Sequence, residues 1–371
     1  MSWRFFLVAG EPSGDRLGAA LMQGLQAECP GVRFAGIGGP LMQARGLDSL
    51  FPMDELSVMG IVEILPRYRR LMRRIDEAAR AVLKAGPDAL ITIDSPDFGL
   101  RVAKRVKAAS DIRTVHYVAP TVWAWRAGRA GKMAAVIDQV LALFPFEPPY
   151  MEAVGMVCDF VGHPVVAEPV ASARDVAAFR NQFEMADDAP ILLVLPGSRR
   201  GEVGRLAPVF GEVLRLIAVR YPKMRVIIPT VEGTVDAVRE AARTWPGAPV
   251  LLDPRGARAA ALCKRAGFAA ADVALAASGT VSLELAAADT PMVVAYDVNW
   301  FSRQIIKRML RIDTVTLVNL VSDTRAVPEF LGRACEPVGI AGALDALIRD
   351  DAAQRAQRAA MALTMDRLGR G

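Results

Sequence analysis

Short apolar runs alternate with longer amphipathic stretches along almost the whole chain, and this alternation limits the possible folds more than any other feature. Gly and Pro residues bound the runs, and helical patterns of roughly 10 to 20 residues fill the gaps between them. Repeated βαβ units of this kind predict an α/β fold built on parallel sheets. The runs lie near residues 4–9, 32–36, 88–93, 113–119, 139–143 and 157–161, and again near 190–195, 224–228, 248–252, 271–276 and 291–296.

The length of 371 residues predicts two domains, because a single hydrophobic core stops growing at roughly 250 to 300 residues. The stretch from Gly162 to Ser172 is rich in Pro and small residues, and it separates the two series of apolar runs. We therefore expect two Rossmann-like, doubly wound domains over 1–165 and 166–350, facing each other across a cleft, and a final helical segment over 351–371. Ligands should bind beyond the carboxyl ends of the strands.

The composition excludes several classes of function. The 45 basic residues are nearly balanced by 40 acidic ones, so the net charge of +5 does not indicate a nucleic-acid-binding protein. The four cysteines show no CxxC or metal-ligand spacing, which predicts neither a disulfide nor a metal site. No uncharged apolar run approaches the roughly 18 residues of a spanning helix. We expect a cytoplasmic protein whose contact with any membrane is peripheral.

Two loops of the first half carry polar groups at predicted strand ends. The first strand runs into Gly10-Glu-Pro-Ser-Gly-Asp15, where the glycines permit a tight turn and Ser13 or Asp15 can cap the next helix. The third strand ends at Asp94-Ser-Pro-Asp97. A carboxylate at this position can act as a general base. The alternative is structural, with Asp94 ending the strand and Asp97 capping the following helix.

Two loops of the second half combine helix N-termini with polar side chains. Leu195-Pro-Gly197-Ser198-Arg199-Arg200 joins free backbone N–H groups to guanidinium groups, as a diphosphate site requires. Ser278-Gly279-Thr280 also follows a strand, and Glu284 lies about one turn further along, where its carboxylate could bind a ribose diol. Both loops could instead be simple caps. The chain has no P-loop motif and no G-x-G-x-x-G at its first strand, which disfavours P-loop and nicotinamide chemistry.

An arginine-rich segment in the first half has helical apolar periodicity. Two interpretations remain open from periodicity alone: an interfacial helix on an anionic bilayer, or a surface helix that packs its apolar stripe on the core. The residues concerned are Leu65, Arg67, Tyr68, Arg70, Leu71, Met72 and Arg74.

The motifs taken together resemble those of the lipid-A-disaccharide synthase family. They occur in the expected order over residues 9 to about 330, and as a set they are far more specific than any one alone. They comprise Ala9-Gly-Glu-Pro-Ser-Gly-Asp15, Gly36-Ile-Gly-Gly-Pro-Leu-Met42, Asp94-Ser-Pro-Asp-Phe98, Val122-Trp-Ala-Trp125, Pro145-Phe-Glu147, Gly162-His-Pro164, Leu195-Pro-Gly-Ser-Arg199 and Ala277-Ser-Gly-Thr280.

The resemblance implies an inverting glycosyltransferase of the GT-B fold. Such an enzyme joins UDP-2,3-diacylglucosamine to 2,3-diacylglucosamine 1-phosphate through a β(1→6) bond and needs no metal or other cofactor. The implied roles are Asp97 as base, Arg199 on the leaving diphosphate and Asn319 as an orienting residue. Loops around Gly197, Ser198, Ser278, Gly279, Thr280 and Glu284 would bind UDP, and Glu11, Ser13, Gly14 and Asp15 would line the acceptor side.

Acylated substrates favour the interfacial interpretation of the arginine-rich helix, on the cytoplasmic face of the inner membrane of a Gram-negative bacterium. The resemblance permits a homodimer and a final helix that returns to the N-terminal domain. Two other functions share the predicted architecture. A UDP-N-acetylglucosamine 2-epimerase would handle a soluble sugar, and a non-catalytic nucleotide-binding membrane protein would bind UDP without turnover.

Overall fold

The computed structural model describes residues 2–56, 61–123, 128–256, 258–297 and 313–370. Of residues 61–68, 256, 258 and 259 it describes the backbone alone. Two compact units divide the chain between Pro164 and Val165, next to the boundary expected from the sequence. Each unit is an α/β domain with one parallel sheet, which confirms the predicted fold class. None of the helices within these ranges has the length and apolar character needed to cross a bilayer.

The N-terminal domain alternates strands and helices as the apolar runs predict. Its sheet has the strand order β2-β1-β3-β4-β5-β6, and all neighbours are parallel. The elements are β1 (Arg4–Ala9), α1 (Pro12–Glu28), β2 (Arg33–Ile37), α2 (Pro40–Gln43), α3 (Ile61–Ala85), β3 (Ala89–Ile93), α4 (Pro96–Lys107), β4 (Arg113–Tyr117), α5 (Gly128–Ala134), β5 (Gln139–Ala142), α6 (Pro148–Glu152) and β6 (Val157–Phe160).

Helices bury the central strands of this sheet, as parallel sheets require. Every residue of β3 is buried, and Leu90 on it belongs to an apolar cluster with Ile75 of α3 and Val102 of α4. Thr92, the one polar residue of β3, is buried and hydrogen-bonded to His116, and the next polar side chains follow Ile93 at the carboxyl end. The geometry therefore brings Asp94 to the edge of the sheet at which ligands bind in this fold class.

The C-terminal domain repeats the pattern with the strand order β12-β11-β10-β7-β8-β9, again parallel throughout. Its elements are α7 (Ala173–Gln182), β7 (Ile191–Leu195), α8 (Arg200–Arg220), β8 (Arg225–Pro229), α9 (Val235–Ala242), β9 (Val250–Leu252), α10 (Arg258–Ala270), β10 (Val273–Ala277), α11 (Val281–Ala287), β11 (Met292–Tyr296), α12 (Leu317–Ser322), β12 (Glu329–Leu331), α13 (Pro337–Arg349) and α14 (Asp351–Met365).

The last helix, α14, packs against α11, α12 and α13 of its own domain. Gln357 fixes it to the sheet, since its side chain accepts a hydrogen bond from Met292 N (2.8 Å) and donates one to Met292 O (3.0 Å). These contacts group residues 351–370 with the C-terminal domain. The suggestion that this segment returns to the N-terminal domain finds no support in them.

Candidate active site

The carboxyl ends of β1 and β3 meet in a tight, polar turn. Ser13 Oγ donates to Asp94 Oδ2 (2.9 Å), and the amide of Ser95 donates to Asp94 Oδ1 (2.9 Å). Asp94 and Ser95 both have left-handed φ values, of 51° and 43°, which are costly for residues other than Gly. A Cβ at Gly10 would lie 2.8 Å from Ser95 Oγ, so a larger residue there would displace Ser95. Two sequence-predicted residues, Ser13 and Asp94, are thus brought into direct contact.

Asp97 lies one helical turn beyond, in the first turn of α4, and its environment is different. Its side chain is 88% exposed, and it forms an ion pair with Arg129, whose Nη2 lies 3.7 Å from Oδ1. An exposed carboxylate keeps both oxygens accessible to an incoming hydroxyl group. Asp94, by contrast, uses both of its oxygens within the turn.

Asp15 does not line an acceptor surface. It is 3% exposed, and its carboxylate accepts hydrogen bonds from the amides of Gly39 (2.9 Å), Leu41 (3.0 Å) and Met42 (3.0 Å). These amides belong to the first turn of α2, which has no other N-terminal cap. We therefore correct the predicted role of Asp15 to that of a buried cap joining α1 to α2. Glu11, Ser13 and Gly14 precede it, and of these Gly14 is also buried.

A buried acid in the loop after β5 escaped the sequence analysis. Glu147 is 1% exposed and accepts hydrogen bonds from Trp123 Nε1 (3.2 Å) and from the amides of Leu143 (3.1 Å) and Phe144 (3.0 Å). Burial raises its pKa to about 7, and this outweighs the opposite effect of the three donors. Glu147 and Trp123 occur in the family-like motifs, but nothing in those motifs shows that they form a pair. The Trp125 side chain lies outside the described residues.

The raised pKa of Glu147 predicts a specific pH dependence of stability. Because the folded-state pKa of about 7 exceeds the ordinary glutamate pKa of 4.5, protonated Glu147 stabilises the fold fully below about pH 4.5, and this contribution is lost as the pH rises to about 7. The loss amounts to at most about 3 kcal/mol. Glu147→Gln should abolish this pH-dependent part of the free energy of unfolding, which urea titrations between pH 5 and pH 8 measure. The exposed Glu152→Gln serves as the control, and parallel pH profiles for the wild type and Glu147→Gln would contradict the prediction.

In the C-terminal domain the loop after β7 has the geometry expected of an anion site, with one difference. Gly197 has φ 117°, and the Arg199 side chain is 64% exposed at the start of α8. The amides of Ser198 and Arg199, however, donate to Glu202 Oε2 (3.1 and 3.3 Å). The guanidinium of Arg199 and the first turn of α8 therefore remain available to bind a diphosphate. The amides of Ser198 and Arg199 do not, because they already donate to Glu202.

The loop after β10 presents a second helix start. Gly279 and Thr280 are exposed and precede α11, whose N-terminus has no side-chain cap. The amides of Ser282 and Leu283 donate to Gly279 O (3.2 Å) and Thr280 O (3.0 Å), so the donors that remain for a ligand lie before them in the chain. Ser278 is half-buried beside them. Glu284 forms an ion pair with Lys264 (2.5 Å), so a ribose diol would have to share this carboxylate with the lysine. Because β7 and β10 are adjacent in the sheet, both loops lie at neighbouring positions on one edge.

Asn319 is buried and hydrogen-bonded within its own domain, which gives no support to the predicted orienting role. It is 1% exposed in α12, and its amide donates to Thr314 Oγ1 (3.2 Å) and to Val327 O (2.9 Å) and accepts from Val327 N (3.0 Å). These bonds satisfy both ends of the side-chain amide and connect the segments on either side of α12. A buried amide engaged in this way cannot also bind a substrate without breaking them.

The arginine-rich helix α3 divides its side chains between the core and the solvent. Leu71 and Met72 pack partly against the apolar core of the N-terminal domain, as expected of a surface helix whose apolar stripe faces the core. Arg74 donates to Glu55 (2.8 and 2.9 Å) and to Glu77 (2.7 Å), and its guanidinium lies 4.4 Å from the centre of the Phe51 ring. Arg70 is exposed, although it also pairs with Glu55. The side chains of Leu65, Arg67 and Tyr68 lie outside the described residues.

The chain matches a known protein family over almost its whole length. The model of the lipid-A-disaccharide synthetase family matches residues 5–370. A lipid-A-disaccharide synthase of Ruegeria pomeroyi is 65% identical over 370 residues, covering 99% of this chain and 91% of that protein. Another, of Rhodospirillum centenum, is 49% identical and covers 95% of this chain and 86% of that protein.

Solved structures show the same fold at low sequence identity. A UDP-GlcNAc 2-epimerase from Neisseria meningitidis bound to UDP-GlcNAc superposes with a TM-score of 0.65 at 13% identity, covering 96% of this chain and 94% of that one. MurG of Acinetobacter baumannii gives a TM-score of 0.56 at 14% identity, covering 99% and 95%. These likenesses concern the fold alone, and they agree with the predicted GT-B architecture.

Proposed function

The chain belongs to the lipid-A-disaccharide synthase family and is a glycosyltransferase, and we propose that it joins UDP-2,3-diacylglucosamine to 2,3-diacylglucosamine 1-phosphate through a β(1→6) bond. The observation that carries this proposal is the family match over residues 5–370, together with 65% identity to one relative. The epimerase alternative is less well supported, because the epimerases resemble this chain only in fold.

The proposed reaction is a single displacement at the donor's anomeric carbon. Asp97 takes the proton of the acceptor 6-hydroxyl as that oxygen forms the new bond to the anomeric carbon, and the bond from this carbon to the diphosphate oxygen breaks. The configuration inverts and UDP leaves. The exposure of Asp97 supports its role as base, because both carboxylate oxygens are accessible. Asp94 and Ser13 would hold the adjacent turn in its strained conformation.

The leaving diphosphate gains negative charge in the transition state, and Arg199 is the group proposed to balance it. Its guanidinium is exposed at the carboxyl end of β7, and Gly279 and Thr280 contribute the start of a second helix at the neighbouring strand. Donors held in place before the reaction stabilise such charge without reorganisation. In this proposal arginine and helix dipoles do the work of a divalent cation, and no metal ion or other cofactor takes part.

The direct test is incubation of the purified protein with the two acylated glucosamines, followed by mass spectrometry. The expected product is a tetra-acyl disaccharide monophosphate, formed together with one equivalent of UDP. Conversion of UDP-N-acetylglucosamine to its C2 epimer without this product would favour the epimerase. Binding of UDP with neither product would indicate a non-catalytic nucleotide-binding protein.

We further propose that exposed arginines of α3 attach the enzyme to an anionic membrane, on the cytoplasmic face of the inner membrane of a Gram-negative bacterium. Arg69, Arg70 and Arg73 are exposed, although Arg70 also pairs with Glu55. Arg74 is half-buried and is committed to Glu55 and Glu77. Acylated substrates reside in a bilayer, so an enzyme held at its surface meets them directly. A homodimer is compatible with the proposal, and light scattering coupled to gel filtration tests it.

The membrane proposal predicts that Arg69, Arg70 and Arg73, all changed to Glu, weaken binding to anionic liposomes. Each basic residue near such a surface contributes about 1 kcal/mol, so partitioning should fall by at least about a hundredfold at low salt. A sedimentation assay with phosphatidylglycerol vesicles measures the effect. Matched reversals at the exposed Arg174, Arg215 and Arg243 of the C-terminal domain are the control. Equal binding of both triple variants would refute the proposed surface.

A further inference from the structure

Glu202 holds the loop that carries Arg199 through four contacts of its carboxylate. Besides the amides of Ser198 and Arg199, its carboxylate accepts from the Arg199 guanidinium, with Nη1 3.2 Å from Oε1. Tyr296, at the carboxyl end of β11, has its hydroxyl 3.5 Å from the same oxygen. The residue itself is 8% exposed. One buried carboxylate thus links the loop backbone, the proposed catalytic cation and strand β11, which is two positions from β7 in the sheet.

The backbone of the loop is shaped to receive this carboxylate. Gly197 has φ 117°, and a Cβ there would lie 2.7 Å from Glu202 Cβ and 2.8 Å from its Oε2. Only glycine can therefore adopt this turn while Glu202 occupies the space beneath it. The turn directs two amides inward, away from any ligand, so the Arg199 side chain is what the loop offers to an anion outside.

A simple capping box elsewhere in the domain provides a comparison. Ser172 and Asp175 exchange side-chain and backbone hydrogen bonds at the start of α7, where Ser172 is exposed and Asp175 is half-buried. Arg174 acts on this carboxylate only through its charge, without a hydrogen bond among the described residues. Glu202 occupies the equivalent position of α8, but it is buried and it accepts a hydrogen bond from the Arg199 guanidinium. Capping alone explains the contacts to the amides, and it does not explain the buried contact to Arg199.

We propose that Glu202 is a positioning residue for the donor diphosphate, acting by holding the Arg199 guanidinium and its loop in the orientation that the leaving group requires. This inference rests on the proposed donor site after β7. Arginine side chains lose considerable rotamer freedom when they bind a ligand, and a fixed partner reduces that loss before binding. Without Glu202, Arg199 would sample many orientations, and the Ser198 and Arg199 amides would lose their acceptor.

The test measures UDP binding by calorimetry, together with kcat and the KM of each substrate, in Glu202→Ala and Glu202→Gln. We expect Glu202→Ala to weaken UDP binding by about tenfold and to raise the donor KM, while the acceptor KM stays unchanged. Glu202→Gln keeps an acceptor oxygen for the amides at nearly the same volume, so it should fold normally and recover part of the affinity. Glu212→Gln is the matched control, since Glu212 forms an exposed i,i+3 pair with Arg215 on the same helix.

A double-mutant cycle separates positioning from simple structural support. If Glu202 acts through Arg199, most of the effect of Glu202→Gln on UDP affinity should disappear in the Arg199→Ala background. A purely structural role would lower the melting temperature and the active fraction but leave the dissociation constant of the folded protein within about twofold, and that outcome would overturn the inference. The inference would also be overturned if Glu202→Gln weakened UDP binding by the same factor in the Arg199→Ala background as in the wild type. Failure of the wild type to bind UDP, or binding indifferent to Arg199→Ala, would instead refute the proposed donor site.

Discussion

Asp97→Asn is expected to lower kcat by about a thousandfold, with little change in the KM of either substrate. A general base contributes roughly 10² to 10⁴ to the rate, and asparagine keeps the shape of the side chain while losing its capacity to accept a proton. The side chain is 88% exposed, so the substitution should leave the free energy of unfolding within about 0.5 kcal/mol of the wild type. Initial rates of UDP release, combined with thermal unfolding, measure both quantities.

Asp94→Asn is the matched comparison for this experiment. Asp94 accepts from Ser13 Oγ and from the Ser95 amide in a left-handed turn, and an asparagine there can still accept one of these bonds. We therefore expect a smaller loss of kcat, on the order of tenfold, accompanied by a lower melting temperature. If Asp97→Asn turns over normally while Asp94→Asn is inactive and folded, the base is Asp94 and the proposed mechanism must be reassigned.

Arg199→Ala is expected to reduce kcat by on the order of a hundredfold or more, because the developing charge on the diphosphate loses its proposed cationic partner. Arg199→Lys should recover only part of the rate, since an ammonium group lacks the planar fork that binds two phosphate oxygens together. Steady-state kinetics at saturating donor separate this effect from weaker binding.

Arg200→Ala provides the control for Arg199. Arg200 is also exposed and adjacent in sequence, but its Nε donates to Gly233 O (3.2 Å) on another loop. A loss of activity at Arg200 that equals the loss at Arg199 would indicate a general electrostatic contribution of the loop. The specific role of Arg199 would then be contradicted.

Much of the fold was predictable because short apolar runs, which form the buried strands, alternate along the chain with longer amphipathic stretches, which form the helices. The eleven runs correspond to β1 to β11, and the only strand missed among the described residues, β12, has just three residues, all half-buried. The four-residue helix α2 was missed for a similar reason. Its N-terminus is capped by Asp15, a residue 24 to 27 positions earlier in the chain. The local sequence around α2 cannot indicate a partner that is so distant along the chain.

The site was only partly predictable. Asp94, Asp97 and Arg199 follow buried strands, and the carboxyl ends of parallel strands meet at one edge of a sheet, so chain position alone makes them candidates for the site. The resemblance to the lipid-A-disaccharide synthase family assigned Asp15 and Asn319 to the site. Each of these side chains is buried, and its polar atoms are engaged in hydrogen bonds within its own domain. Polar residues in a loop motif can serve either the ligand or the fold, and only the direction of the side chain distinguishes the two.

The sequence by itself determined the two α/β domains, their family and the loops that carry charge, because hydrophobic periodicity and local turn chemistry act over short distances. The tertiary structure decided which of those polar groups face outward. Glu147 meets Trp123 across 24 residues, and Glu202 meets Tyr296 across 94, so neither pairing is encoded in a local pattern. A carboxylate removed from water must find its donors wherever the packed chain brings them, and for that reason burial, hydrogen bonding and proton affinity emerge only once the domains have folded.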